Sequence, residues 1–239
     1  MSDPIIAYCG PAALPAEIWT RWNLDPLLII VLTALGLTVG WSRDARAGWG
    51  AVALLLVVFV SPLCALSSAL FSARTLHHLL LIAAVAPLLA LAFPQRRTGP
   101  LPLSALVAGH AIVLWLWHVP AVYAWGLATA PAYWLMQGSL LGSAWLMWRA
   151  LLLPVARPGP ALAALAATLG QMGLLGALLV FASRPLYAAH FSSTWPWGFS
   201  PLADQQLAGL LMWVPAMLPY LGVGLWIAWS SLRPSEPAV

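Results

Sequence analysis

Long apolar runs follow one another along this chain, and they constrain its fold more than any other feature. Each run is about 20 residues long, enough to cross about 30 Å of hydrocarbon as an α-helix. Only 7% of the 239 residues are charged, whereas 62% are hydrophobic. Lipid cannot satisfy an open strand edge, and the runs lack the alternation of barrel strands. The sequence therefore predicts an all-α, polytopic membrane bundle.

The runs predict seven transmembrane helices in a single membrane domain, residues 1–239, because no connection is long enough to form a core of its own. The predicted spans are residues 24–42, 49–71, 75–94, 103–125, 131–153, 160–182 and 206–230. An outer loop, residues 183–205, joins the last two. Prolines inside the spans predict kinks. These prolines are Pro62, Pro87, Pro120, Pro215 and Pro219.

Arginines predict the orientation of the bundle. All ten basic residues are arginine, and seven fall in alternate connections and the C-terminal tail: Arg43, Arg46, Arg96, Arg97, Arg149, Arg157 and Arg233. The opposite side holds Arg21, Arg74, Arg184, Asp3, Glu17, Asp25 and Asp204. The positive-inside rule then places the N-terminus outside and the C-terminus in the cytoplasm of a bacterial plasma (inner) membrane. Because the positive charge is spread over short turns, no nucleic-acid partner is expected.

Histidines are the most informative polar residues, because an imidazole at membrane depth is costly. In the predicted topology, His77 and His78 open the third span. His118 lies near the outer end of the fourth span and His190 lies in the outer loop, whereas His110 lies deeper. Imidazole and thioether ligands favour copper, with zinc as an alternative, over magnesium or calcium. We therefore predict transient copper binding near the outer surface.

The pair of His78 and His118 is the preferred core of this predicted site. His77 is a weaker candidate, because neighbouring residues on a helix point about 100° apart. The full set of candidate ligands is His77, His78, His118, His190, Met136 and Met212. Two cysteines, Cys9 and Cys64, are also predicted on the outer side, and their spacing leaves open whether they form a disulfide.

Asp204 begins the last span, so it either caps a helix N-terminus or orients a ligating histidine. Gln205 and Gln206 are predicted to assist by hydrogen bonding. The chain also has fifteen tryptophans, a number typical of aromatic belts at the membrane interface. Trp195 and Trp197 in the outer loop are candidates for docking a partner.

Three segments of the chain resemble a known family. They are HHLLLIAAVAPLLAL (77–91), WLWHVPAVY (115–123) and PLYAAHFSSTWPWGFSPLADQQLAGLLMWVPAMLPYL (185–221). The resemblance is to the bacterial CtaG family of seven-span assembly factors for caa-type cytochrome c oxidases, and it extends from about residue 65 to residue 225.

This resemblance implies a role in maturing a haem-copper oxidase by binding or handing over copper for its CuB centre. The implied partners are the catalytic subunit of the oxidase and a periplasmic copper donor. The family's motif histidines correspond to His78 and His118. Many relatives read His-Met-x-Gln-His at the segment where this chain has Arg-Thr-Leu-His-His (74–78). The first histidine and the methionine of that motif are therefore missing here, and His77 or His190 is expected to replace the missing ligand.

Other functions remain as alternatives. Facing histidines such as His78 and His118 are also the ligands of membrane cytochromes, although no haem is expected here. A copper transporter is a further alternative. It is disfavoured because, apart from His110, the inner halves of the spans offer few ligands to continue a path for the metal across the membrane. A light-sensing seven-helix protein is excluded, because the chain has no lysine for a retinal Schiff base. A hydrolase or intramembrane protease has little support, because the chain has no HExxH or G-x-S-x-G motif. We therefore expect that the protein is not an enzyme.

Overall fold

The computed structural model describes residues 8–95, 99, 101–152 and 158–232. The charges assigned above to Asp3, Arg96, Arg97, Arg157 and Arg233 lie outside the described residues. The described ranges consist of helices joined by turns and loops and contain no strand, so the all-α prediction is confirmed.

Ten α-helices form the bundle in the described ranges. They are α1 (Pro26–Val39), α2 (Ala45–Phe59), α3 (Leu63–Ala69), α4 (Phe71–Ala92), α5 (Leu103–His118), α6 (Pro120–Ala128), α7 (Ala130–Leu151), α8 (Pro158–Val180), α9 (Pro201–Trp213) and α10 (Met217–Leu232). Short 3₁₀ turns occupy Ile18–Thr20, Ala188–His190 and Trp195–Trp197.

Three helical segments of the described chain are long and apolar enough to cross a membrane: Phe71–Ala92, Pro158–Val180 and Pro201–Leu232. The number rises to five if two bent pairs each count as one span. The pair α2 and α3 is bent by 44°, and the pair α5 and α6 by 80°. The membrane character predicted from the sequence is therefore supported by several helices.

The predicted kinks have different outcomes. Pro62 and Pro120 stand at the two bends, and Pro215 lies in the turn between α9 and α10. Pro87 lies within α4, immediately after a π-helical turn at Leu81–Val85. The prediction of a kink at Pro219 is wrong. This proline lies in the first turn of α10, where backbone N–H groups have no helical partner, so the lack of an N–H costs no hydrogen bond.

Helix α4 lies at the centre of the bundle and is the most buried of the three candidate spans. It packs against α2, α3, α7 and α9. Helices α8 and α9 approach closely through a pair of glycines, where a Cβ on Gly209 would lie 2.6 Å from the carbonyl oxygen of Gly176. Contact between small residues is typical of helices packed in membranes. The sequence thereby places α9 firmly against α4 and α8.

A disulfide joins Cys9 to Cys64, two residues that are 55 positions apart. The bond ties the segment before α1 to the start of α3. Asn23 supports the same junction, since its side-chain amide donates a hydrogen bond to the carbonyl oxygen of Phe59 at 3.1 Å. The question that the spacing of the cysteines left open is therefore answered by the fold.

Candidate functional site

The start of α4 is capped by a carboxylate from another helix. Asp204 of α9 is fully buried, and it accepts hydrogen bonds from the backbone N–H of Phe71 at 2.7 Å and of Ser72 at 3.2 Å. The Ser72 hydroxyl also donates to this carboxylate. Helix α9 has its own cap, Ser200, whose Oγ accepts from the N–H of Ala203. Asp204 therefore caps α4 and not the helix on which it lies.

Arg74 differs most from its predicted position. Helix α4 begins at Phe71 and not at residue 75, so Arg74 lies inside the helix and not in a connection. Its side chain is 0% exposed, and its guanidinium lies close to the hydroxyl groups of Tyr123 and Tyr133 but is not paired with a carboxylate of the described residues. The guanidinium carbon lies 5.3 Å from the centroid of the Tyr133 ring, a cation–π contact. A buried charge without an ion pair is costly in a membrane protein.

His77 and His78 follow Arg74 by about one helical turn, so they share its neighbourhood in the core. His77 is 0% exposed, and neither ring nitrogen has a hydrogen-bond partner among the described groups. Its ring packs against that of Phe59 in a T-shaped arrangement. The Nε2 atom of His78 lies 3.4 Å from the side-chain nitrogen of Gln137, on α7. The centroids of the two imidazoles are 5.8 Å apart.

His118 ends α5, and its ring has one engaged nitrogen. Nδ1 donates to the carbonyl oxygen of Leu114 at 2.7 Å, an assignment that leaves the Nε2 lone pair available to a ligand. Tyr187 fixes the adjoining backbone by donating its hydroxyl proton to the carbonyl oxygen of His118 at 2.9 Å. The ring is thereby oriented as that of a ligating histidine commonly is.

His190 differs from the other histidines because both of its nitrogens have partners. Nδ1 faces the carbonyl oxygen of Ala69 at 3.3 Å, and Nε2 faces the hydroxyl of Tyr123 at 2.7 Å. Burial, followed by the charge of Arg74, lowers the pKa of His190 to about 4. His190 therefore holds the outer loop against the end of α3, and it could ligate a metal only by breaking one of these bonds.

The other candidate residues occupy separate packing positions. Met136 places its sulfur against Gly126 of α6, and Met212 packs against Gly176 of α8. The Gln205 side chain accepts from the N–H of Leu186 at 2.7 Å and donates to the carbonyl oxygen of Leu179. Gln206 donates to the carbonyl oxygen of Val180. These amides satisfy the C-terminal carbonyls of α8 and anchor the outer loop.

The two tryptophans of the outer loop have different environments. Trp195 is 62% exposed. Trp197 is partly buried, and its indole N–H donates to the carbonyl oxygen of Ala13 at 3.0 Å. Trp197 therefore fastens the loop to the segment before α1, whereas Trp195 presents its ring to the surroundings.

A complete metal site is not preformed in the described part of the chain, where no three His, Cys, Asp or Glu side chains are arranged to hold an ion. The disulfide occupies the two cysteines. What the structure does bring together is a buried polar cluster of Arg74, His77, His78 and Gln137. Gln137 has an unpartnered Oε1 as well. Sequence reasoning did not assign Arg74 or Gln137 to the site, although Arg74 lies three and four residues before the two histidines.

Comparison with known families identifies the chain. Residues 98–234, more than half of its length, match the family described as cytochrome c oxidase caa3 assembly factor (Caa3_CtaG). The matched range includes His118, His190 and Asp204, whereas Arg74 and the adjacent histidine pair precede it. Neither the curated proteins nor the solved structures gave a match. The chain belongs to the cytochrome c oxidase caa3 assembly factor family, Caa3_CtaG.

Proposed function

We propose that this protein assists the copper loading of a haem-copper cytochrome c oxidase and acts on its catalytic subunit as a non-enzymatic assembly factor. It lies in the bacterial plasma membrane with seven spans, an outer N-terminus and a cytoplasmic C-terminus. The described helices overlap all seven predicted apolar segments, which supports the proposed number of spans. The disulfide between Cys9 and Cys64 supports an outer location for their end of the bundle, because disulfides persist in oxidising compartments.

Copper is the cargo in this proposal, and the buried histidine cluster is its temporary binding site. The observation that carries the proposal is His77, a fully buried imidazole with two unpartnered nitrogens beside a second buried histidine. Buried polar groups normally have partners, and one ring nitrogen of a neutral imidazole carries a lone pair that a metal ion can accept, so the environment of His77 supports its role as a ligand. Imidazole is a suitable copper ligand.

The charge of Arg74 explains why copper would be held only briefly. A guanidinium one helical turn from the histidines repels a bound cation. His118 lies close enough to His78 for their charges to interact, but three imidazoles still leave the coordination of copper incomplete. A periplasmic donor and the oxidase subunit would supply the remaining ligands, so that copper moves by ligand exchange. The exposed indole of Trp195 provides a contact for either partner.

Metal analysis of purified variants tests the binding site. We expect His77→Ala, His78→Ala and His118→Ala to lower the amount of copper bound after incubation with Cu(I). His110→Ala is the matched control, since His110 is also buried and has an unpartnered Nε2, but hydrogen-bonds Ser143 elsewhere in the bundle. Equal copper in the wild type and all four variants would contradict the proposed ligands.

Deletion of the gene tests the cellular role separately. Oxidase activity should fall while the haem content of the oxidase is retained, because the proposed step supplies copper and not haem. Complementation with the wild-type gene should restore activity, whereas the His78→Ala variant should restore less. Unchanged activity after deletion would contradict the assembly role for this oxidase.

A further inference from the structure

A second polar site lies at the opposite end of the bundle from the histidine cluster. Along α7, Gln137 contacts His78, and Arg149 lies twelve residues later, about 18 Å along the helix axis. Here a cavity of about 610 Å³ opens between the turn that joins α1 to α2 and the ends of α4 and α7. Its volume is in the range of small-ligand pockets.

Three arginines line this cavity: Arg43, Arg46 and Arg149. The one carboxylate in its wall belongs to Asp44, whose Oδ1 accepts a hydrogen bond from the N–H of Ala47 and caps α2. The ion pair found within the described residues joins Arg21 to Glu17, and it does not involve the arginines of the cavity. Among the described residues, the cavity therefore has an excess of positive charge that no carboxylate pairs with.

Arg149 is the most constrained of the three arginines. Its guanidinium carbon lies 4.6 Å from the centroid of the Trp145 ring, so the side chain is held in place by a cation–π contact. Its buried Nε has no hydrogen-bond partner in the part of the chain that the structure describes. A guanidinium that is held in place by an aromatic ring and lines a cavity is preorganised to bind an anion there.

The surroundings of the cavity indicate its level in the membrane. Leu91 and Leu152 contribute apolar wall next to the arginines. Trp41 is 94% exposed and adjoins the same turn, and Trp49 on α2 is also exposed. Exposed tryptophans beside arginines at the ends of apolar helices mark the headgroup level of a bilayer. The cavity thus combines positive charge with an apolar wall at that level.

We infer that this cavity binds a phosphate group and that the phosphate is the headgroup phosphate of an anionic phospholipid. Guanidinium groups bind phosphate oxygens in pairs, as a forked donor does. Basic pockets between transmembrane helices at the cytoplasmic side are suited to anionic headgroups. The apolar wall contacts the glycerol and upper acyl region, which a free phosphate lacks.

Titration of the purified full-length protein tests this site. The probes are short-chain phosphatidylglycerol, phosphatidylcholine of equal chain length, and inorganic phosphate, each added at low ionic strength. Binding is followed by native mass spectrometry and by the shift in thermal unfolding. We expect phosphatidylglycerol to bind at least tenfold more tightly than phosphatidylcholine. The triple variant Arg43→Gln, Arg46→Gln, Arg149→Gln should lose at least tenfold in this affinity, whereas Arg184→Gln should retain it.

Each outcome decides the inference. Inorganic phosphate that binds with the same dependence on the three arginines, and as tightly as the lipid, supports the phosphate site but assigns it to a soluble source. Equal phosphatidylglycerol binding by the wild type and the triple variant overturns the site, as does binding of neither anion. If the triple variant does not fold, the single variants Arg43→Gln and Arg46→Gln, both at exposed positions, replace it with the same criteria.

Discussion

At the residue scale, Arg74 is the side chain whose environment is least expected. Its charge is buried without an ion pair and lies one turn from His77 and His78. Replacement by glutamine keeps a polar side chain and removes the charge. We expect Arg74→Gln to bind Cu(I) about tenfold more tightly, equivalent to about 1.4 kcal/mol, because the repulsion of the cation is lost.

A competition titration against a Cu(I) chelator measures this change. Arg184→Gln, which removes a charge from an exposed position in the outer loop, is the control and should leave the affinity unchanged. The same Arg74 variant should also unfold at a higher temperature, because an unpaired buried charge destabilises the folded state. Copper affinity that stays the same or falls would argue that the cluster does not bind a cation.

His190 makes stability depend on pH. Its pKa is lowered from 6.5 to about 4 by burial and by Arg74, so only the unfolded chain takes up this proton between those pH values. The contribution is fully present above pH 6.5 and is lost as the pH falls through about 4. We expect the free energy of unfolding to decrease over this window, by up to about 1.4 kcal/mol per pH unit for this one group.

Denaturation of His190→Gln at a series of pH values isolates that contribution. Glutamine can still face the carbonyl oxygen of Ala69 and the hydroxyl of Tyr123, but it does not titrate. The pH dependence of the variant should be shallower than that of the wild type between pH 6.5 and 4. Parallel curves for the two proteins would show that His190 titrates alike in the folded and unfolded chains.

At the element scale, α4 combines a π-helical turn with a proline, and a tryptophan from α7 supplies the hydrogen-bond donor that the proline lacks. In the turn, the N–H of Ala86 bonds to the carbonyl oxygen of Leu81. The corresponding partner for Ile82 is Pro87, which has no N–H. The indole N–H of Trp148 donates to this freed carbonyl oxygen at 2.9 Å. Trp148 is fully buried, so the bond is made in the core.

Substitution of Trp148 by phenylalanine tests this account of α4. The variant leaves the Ile82 carbonyl oxygen without a donor and also reduces buried volume. We expect a loss of about 2–4 kcal/mol in the free energy of unfolding. Trp145→Phe on the same helix is the control for loss of an indole without loss of a hydrogen bond, because the indole N–H of the partly buried Trp145 has no partner in the described structure. Equal losses for the two variants would mean that packing alone explains the effect.

The elements also show what a sequence can and cannot predict. Apolar length located the helices, and the bends at Pro62 and Pro120 follow from proline alone. The start of α4 did not follow, because it depends on Asp204, which arrives from a helix more than 130 residues later. Arg74 was therefore assigned to a connection. A local pattern carries no information on such a distant cap.

At the scale of the whole molecule, the charge pattern predicted a depth for His77 and His78 but did not reveal which side chains surround them. The engagement of both nitrogens of His190 depends on Tyr123 and on the end of α3, neither of which is near it in sequence. The arginines behave more simply. Arg43, Arg46 and Arg149, which the charge pattern assigned to one side, line a single cavity.

The disulfide connects stability with the orientation of the whole bundle. Cross-linking residues 55 positions apart removes about 4 kcal/mol of chain entropy from the unfolded state. We therefore expect Cys9→Ser, Cys64→Ser and the double variant to unfold at similarly lowered temperatures, since either substitution removes the same bond. Losses that add in the double variant would contradict a shared disulfide.

The same pair tests which end of the bundle faces outwards. In intact cells treated with a reductant, a membrane-impermeant maleimide should label Cys9 or Cys64 only if their end of the protein is outside, as proposed. Labelling should be absent before reduction and absent from the double serine variant. Labelling that requires disruption of the membrane would reverse the proposed orientation. It would then place the histidine cluster on the cytoplasmic side, where a periplasmic copper donor could not reach it.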